Sequence, residues 1–170
     1  QPVRSSAGIH GAASSAAAWT PPITLDGSDA GSGAGGILVG ASAADVVIKG
    51  LMLTNFGGTG VDSAGPRMRV GGVHVHACGS AGVFLLESAV GAVIGDPTQG
   101  ERGRVVLTAN QAGIFTAAPL TKVANVYIGV TADGLRAAGN LGSGITIESS
   151  AVGTMVGDAA AGRDGLVVSS

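Results

Sequence analysis

The sequence predicts an all-β fold, a parallel β-helix of about five coils with three short strands in each. Three observations carry this. A small-residue turn ending in glycine and leading into an aliphatic run recurs at Gly36-Ile37, Gly60-Val61, Gly82-Val83, Gly113-Ile114 and Gly144-Ile145, in steps of 24, 22, 31 and 31 residues. VGAVIGDPTQGERGRVVL, from Val90 to Leu107, overlays VGTMVGDAAAGRDGLVVS, from Val152 to Ser169, without a gap at a shift of 62. The apolar runs between the turns are three to five residues long and rich in Val and Ile, which is strand length and strand composition. A period of 20 to 50 residues built from such runs is the signature of a solenoid.

The strands fall into three rows. The first follows the recurrent glycine, at residues 37–39, 61, 83–86, 114–116 and 145–147. The second takes residues 46–48, 68–70, 92–94, 126–128 and 154–156. The third takes residues 51–53, 73–75, 105–107 and 166–168. Alternation within Met68-Arg69-Val70 and Val73-His74-Val75-His76 turns the apolar parity inward. Helices are excluded, because Gly or Pro interrupts the pattern about every ten residues and a helix interior loses about 1 kcal/mol for each Gly. The turn from third to first strand places Asn55, Cys78, Asn110 and Asn140 a few residues before the glycine. These four are expected to stack as a polar ladder that satisfies turn backbone, with Cys78 a small buried packer in one rung.

Composition fits a packed chain of small side chains. Glycine accounts for 31 of 170 residues, aromatics for 3% and charged residues for 12%, at positive mean hydropathy, so a disordered polyelectrolyte is excluded. Nine basic against eleven acidic residues leave no basic stripe, which argues against nucleic-acid binding. Asp45 and Lys49 break the longest apolar stretch, so no membrane span is expected. A single cysteine removes intrachain disulfides. Residues 1–20 read as an irregular Ala/Ser/Gly-rich segment and residues 21–170 as the solenoid. Neither end carries a helix or polar coil that would cap open strands, so the solenoid is expected to continue into flanking coils of a longer polypeptide or to meet neighbouring subunits.

PPITLDGSDAGSGAGGILV followed by VVIKGLMLTNFGGTGV resembles the opening coils of right-handed parallel β-helix repeat proteins of the pectate-lyase-like superfamily. NVYIGVTADGLRAAGNLGSGITI resembles a later coil of that family. The two IGD/VGD segments resemble its Ile-Gly-Gly coil, with Asp96 and Asp158 at the second glycine. The resemblance implies right-handedness. It leaves activity open, since such repeats occur in polysaccharide lyases and hydrolases, in adhesins and in purely structural surface proteins.

The acids are scattered, and neither the paired aspartates of a β-helix hydrolase nor an Arg cluster beside calcium-binding carboxylates is apparent. No catalytic residues and no cofactor are therefore expected. A weak Ca²⁺ site at Asp26 and Asp29 is the alternative to turn capping by those aspartates, and turn capping is favoured. His74 and His76, two apart on one strand, could chelate a metal but have no predictable third ligand. Aligning the third strands puts Met52, His74 and Val106 in one outward column and Thr54, His76 and Thr108 in the next. This half-apolar ribbon is the expected binding face for a protein or glycan, against the alternative of an ordinary mixed surface. The leading expectation is a non-enzymatic structural module of a large extracellular or cell-surface protein. A carbohydrate-binding or polysaccharide-processing β-helix comes second, and a filament or appendage subunit third.

Overall fold

The computed structural model describes residues 19–157 and 167–168. Most of the expected irregular segment, Asp158, and the expected strand start at Leu166 lie outside the described residues. Within them the chain is mostly β, with two parallel sheets and no helix long and apolar enough to cross a membrane. The strands are β1 (Ile23–Asp26), β2 (Ile37–Val39), β3 (Val47–Thr54), β4 (Val61–Ser63), β5 (Arg69–His76), β6 (Ala81–Leu85), β7 (Val93–Ile94), β8 (Val105–Thr108), β9 (Ala112–Thr116), β10 (Lys122–Val123), β11 (Val126–Ile128), β12 (Ile145–Ile147), β13 (Met155–Val156) and β14 (Val167–Val168). One 3-10 segment, Pro97–Gly103, interrupts the series. Asp96 caps it, its side chain accepting from the Thr98 amide.

The smaller sheet, in the order β2-β4-β6-β9-β12, is the first row. Its register pairs Ile37 with Val61, Val61 with Val83, Val83 with Ile114 and Ile114 with Ile145. These are the glycine steps read from the sequence, and the structure supplies their cause. A β-carbon on Gly36 would stand 2.7 Å from the Gly60 carbonyl oxygen, one on Gly60 would stand 2.8 Å from that of Gly82, and one on Gly113 would run into that of Gly144. At these three glycines neighbouring backbone lies too close for a β-carbon, whereas at Gly82 the nearest atoms stand at 3.0 Å.

The larger sheet joins the second and third rows. In β3 and β5 these are one continuous eight-residue strand, bent at Gly50 (φ 69) and Gly72 (φ 59), so the expected second and third strands are not separate there. Asn125 (φ 51) takes the same corner before β11, one of the few other residues that tolerates a left-handed backbone. The second-row register runs Val47, Arg69, Val93, Lys122, Met155. The third row starts with β1 and runs Ile23, Leu51, Val73, Val105, Val126, with Tyr127 pairing onward to Val167.

Residues 126–128 therefore belong to the third row, not the second as their sequence position suggested. The steps between paired strands are unequal. The 3-10 segment lengthens the path from β7 to β8, whereas β10 and β11 are separated by two residues, so Val105 and Val126 pair at a step of only 21. The overlay of 62 holds for the second row, Val93 to Met155, and slips to 61 in the third, Val106 to Val167.

Alternation places Leu53, Val61, Val73, Val75, Val83, Leu85, Ile94, Val105, Leu107, Ile114 and Ile128 inside at 0% exposure, in one continuous core. Each such side chain stabilises the fold by about 1.5–3 kcal/mol relative to solvent exposure.

Candidate functional site

The expected binding ribbon occupies successive rungs of the third row, with Met52, His74, Val106 and Tyr127 in one column and Thr54, His76 and Thr108 in the next. It is not a flat exposed strip. Val106 is 4% exposed and Thr54 and Thr108 each 8%. Residues 130–138 fold back on a Val130–Ala137 antiparallel bridge, held by Thr131, whose amide donates to the Arg136 carbonyl, and by the Asp133 carboxylate, which accepts from Thr131 and from the Leu135 amide. Thr131, Ala132 and Ala138 then wall a shallow cleft of about 250 Å³ over Met52, His74, His76, Val106 and Thr108.

Sequence reasoning missed three residues beside this cleft. Trp19 sets its ring edge-on to His74 at 6.1 Å. The Arg104 guanidinium lies 4.1 Å over the Tyr127 ring and donates to the Ala132 carbonyl at 3.3 Å. Tyr127 was legible in principle, because its parity matches Val106 once residues 126–128 are moved to the third row. Nothing in the sequence marks the contacts of Trp19 or Arg104.

The two histidines differ. His76 is exposed and bonds the Thr108 hydroxyl through Nδ1 at 3.0 Å. Burial, with the charge of Arg104 beside it, pulls the His74 imidazole down to about 4. His74 is thus neutral at pH 7. The unfolded chain takes up this proton near pH 6.5, before the folded chain does, so stability is expected to be level above that pH and to fall as pH drops from about 6.5 through 4. The loss is on the order of 1–2 kcal/mol, allowing for solvent at a partly exposed ring. Denaturant midpoints measured across that range should show this slope, and His74→Gln should flatten it.

Chemically the cleft offers hydroxyls, one neutral and one exposed imidazole and a thioether. These suit hydrogen bonding and apolar contact. Among the described residues no carboxylate lines it.

Asp26 acts as a turn cap. Its Oδ1 accepts from the Ser28 amide at 3.0 Å, the Ser28 hydroxyl at 2.6 Å and the Asn55 side chain at 3.1 Å, and these bonds hold its carboxyl below the usual range. Among the described residues no group of three or more His, Cys, Asp or Glu is placed to hold a metal ion. Millimolar Ca²⁺ is expected to leave the thermal midpoint within about 1 °C, since a ligand far below its Kd adds almost no stability.

The polar ladder is shifted at one rung. Because Thr54 pairs with His76 and His76 with Thr108, Asn55 aligns with Ala77 and Ala109, all at φ between 54 and 60, and Phe56 aligns with Cys78. Asn55 points to Asp26 instead of joining the ladder. Cys78, Asn110 and Asn140 do form consecutive rungs. The Cys78 amide donates to Asn110 Oδ1 at 3.0 Å and the Asn110 amide to Asn140 Oδ1 at 2.9 Å, while Asn110 Nδ2 donates to the Val75 carbonyl and Asn140 Nδ2 to that of Leu107, each at 3.2 Å. Cys78 is 3% exposed and burial pushes its thiol up, away from the reactive thiolate.

The fold and these sites define a mostly β chain of two parallel sheets whose most ordered polar feature is internal. No protein-family model, curated protein or solved structure matches the chain.

Proposed function

We propose that this chain is a right-handed parallel β-helix of the pectate-lyase-like kind, serving as a rigid, non-enzymatic structural module of a large extracellular or cell-surface protein. The observation that carries the reading is the repeated Asn rung. Asn110 and Asn140 make the same two bonds to the preceding coil, one accepted from an amide and one donated to the carbonyl three residues earlier. Polar side chains are thus used to fasten coil to coil. Three rows of parallel strands, each pairing one coil with the next, support the β-helix. The hand follows from the strong preference of parallel crossovers for the right-handed sense. A rise of about 4.8 Å per coil makes five coils a rod of roughly 24 Å, bonded along its whole length. Surface placement is supported by the low charge and by the sequence resemblance.

A carbohydrate-binding role is the second reading, favoured by the cleft over His74 and His76 with its two threonine hydroxyls. One experiment separates the two. Incubation with a panel of acidic and neutral polysaccharides should give neither retarded migration in affinity electrophoresis nor new reducing ends. Retardation that disappears in His74→Ala/His76→Ala would move the assignment to glycan binding, and cleavage would overturn the scaffold.

A further inference from the structure

The chain contains one Asp-Pro bond, Asp96–Pro97, at the entry to the 3-10 segment. Chemistry singles this bond out. Proline makes the amide tertiary, so its nitrogen leaves as a secondary amine that takes up a proton readily, and the aspartate sets a carboxylate one ring closure from the carbonyl carbon. In a flexible chain that carboxylate turns freely, and the carbonyl oxygen meets only water.

Here both groups are held. Asp96 Oδ1 accepts from the Thr98 amide at 3.0 Å and from the Thr98 hydroxyl at 2.6 Å. Reaching an amide two residues ahead folds the carboxylate forward over its own peptide group. The Asp96 carbonyl oxygen accepts from Asn125 Nδ2 at 3.0 Å and from the Gln99 amide at 3.3 Å, two donors on the atom that would become an oxyanion.

Asn125 is the telling member of the group. It is 1% exposed, sits at a left-handed corner (φ 51) and gives its side-chain amide to the Asp96 and Gly100 carbonyls, while its own Oδ1 is enclosed without a partner. A buried orphan acceptor is costly, so this side chain is placed for the carbonyls it serves rather than for its own satisfaction. Lys49 and Arg69 line the groove of about 370 Å³ that also holds Asp96, Pro97 and Thr98, and neither has an ion-pair partner among the described residues. They bring positive charge to the side where negative charge would develop. Asp96 and Pro97 are half-buried, so water reaches the bond.

We propose that the folded chain cleaves itself at Asp96–Pro97. A carboxylate oxygen of Asp96 bonds to the Asp96 carbonyl carbon, and the carbonyl electron pair moves onto its oxygen, held by Asn125 and Gln99. That pair returns as the C–N bond breaks, and the Pro97 nitrogen leaves with a proton from solvent. The cyclic anhydride left on Asp96 adds one water and opens to two carboxylates. In sum, one peptide bond and one water become a C-terminal Asp96 and an N-terminal Pro97 amine. Strands β7 and β8, on either side of the cut, stay paired with β5, so cleavage frees the start of the 3-10 segment without opening the sheet. One self-cleavage is not turnover, and the scaffold proposed above does not depend on it.

The test incubates the 170-residue chain at pH 5, folded and in concentrated urea, with circular dichroism reporting the fold and mass spectrometry the fragments. The expected result is two fragments, residues 1–96 and 97–170, together one water heavier than the chain, formed roughly tenfold faster or more in the folded sample. Asp96→Asn, which keeps a capping acceptor, and Pro97→Ala, which keeps the carboxylate, should each stay folded and uncut over the same time. The two wild-type samples decide the matter even if a variant fails to fold. A folded wild type that stays intact, equal rates in the folded and unfolded samples, or folded Asp96→Asn cut at the wild-type rate would each overturn the proposal.

Discussion

Asn110→Ala is expected to destabilise the chain by about 3 kcal/mol, the largest effect of any single polar substitution in the ladder. Asn110 is fully buried, and its side chain is the partner of the Cys78 amide and the Val75 carbonyl. Truncation leaves the Cys78 amide without a partner, at about 1–3 kcal/mol for a buried unsatisfied group, takes from the Val75 carbonyl the bond it accepts beside the β5–β8 ladder, and opens a void in the buried turn. Asn55→Ala is the internal control. Its side chain bonds Asp26 at the exposed rim, and its left-handed backbone (φ 60) suits Ala less well than Asn, so the same chemical change should cost about 1 kcal/mol, well below Asn110→Ala. Denaturant midpoints at constant slope would measure both. Equal losses would contradict the shifted ladder.

Gly113→Ala is expected to be at least as damaging, at about 3 kcal/mol or more. Its φ is not left-handed, so the cost is contact rather than conformation. The new methyl would overlap the Gly144 carbonyl and lie 2.7 Å from a methyl of Ile128, backbone on one side and core on the other. Gly82→Ala, where the nearest atoms stand at 3.0 Å, should be milder because a few tenths of an ångström of adjustment suffice. Gly40→Ala, with open space around it, should be close to neutral. A graded series in thermal midpoint, Gly113 worst and Gly40 least, is the expected outcome.

Much of the fold was legible because close contact between paired strands acts directly on residue type. Gly36, Gly60 and Gly113 stand where a methyl would strike neighbouring backbone, and the glycine steps of 24, 22, 31 and 31 are the strand register of the smaller sheet. The second and third rows were less legible because their corner, at Gly50, Gly72 and Asn125, imposes only a backbone conformation that several residue types meet. A short apolar run such as Val126–Ile128 fits either row by pattern alone. Its row is decided by how much chain the 3-10 segment and the residue 130–138 fold consume elsewhere.

The expected binding ribbon shows the same limit. Outward parity was readable for Met52, His74 and Val106, whereas the burial of Val106 and Thr108 depends on a loop that packs back from a later coil. Asn55 was misplaced by one residue because the polar residue was placed a variable three to five positions before the glycine instead of being counted from the strand that precedes it.

The central claim is that successive coils stack in register at one strand spacing, and spin-label distances across the first row test it most directly. Labels replacing outward Leu38 and Thr146 are separated by 108 residues of sequence but by four rungs of one sheet. Their backbone positions should therefore lie about 19 Å apart, with a narrow distribution, and moving the second label to Phe115 should shorten the distance by about 5 Å. Cys78 is buried and need not be labelled. A broad distribution, or a separation that does not change by one rung, would contradict the stacked register and everything built on it.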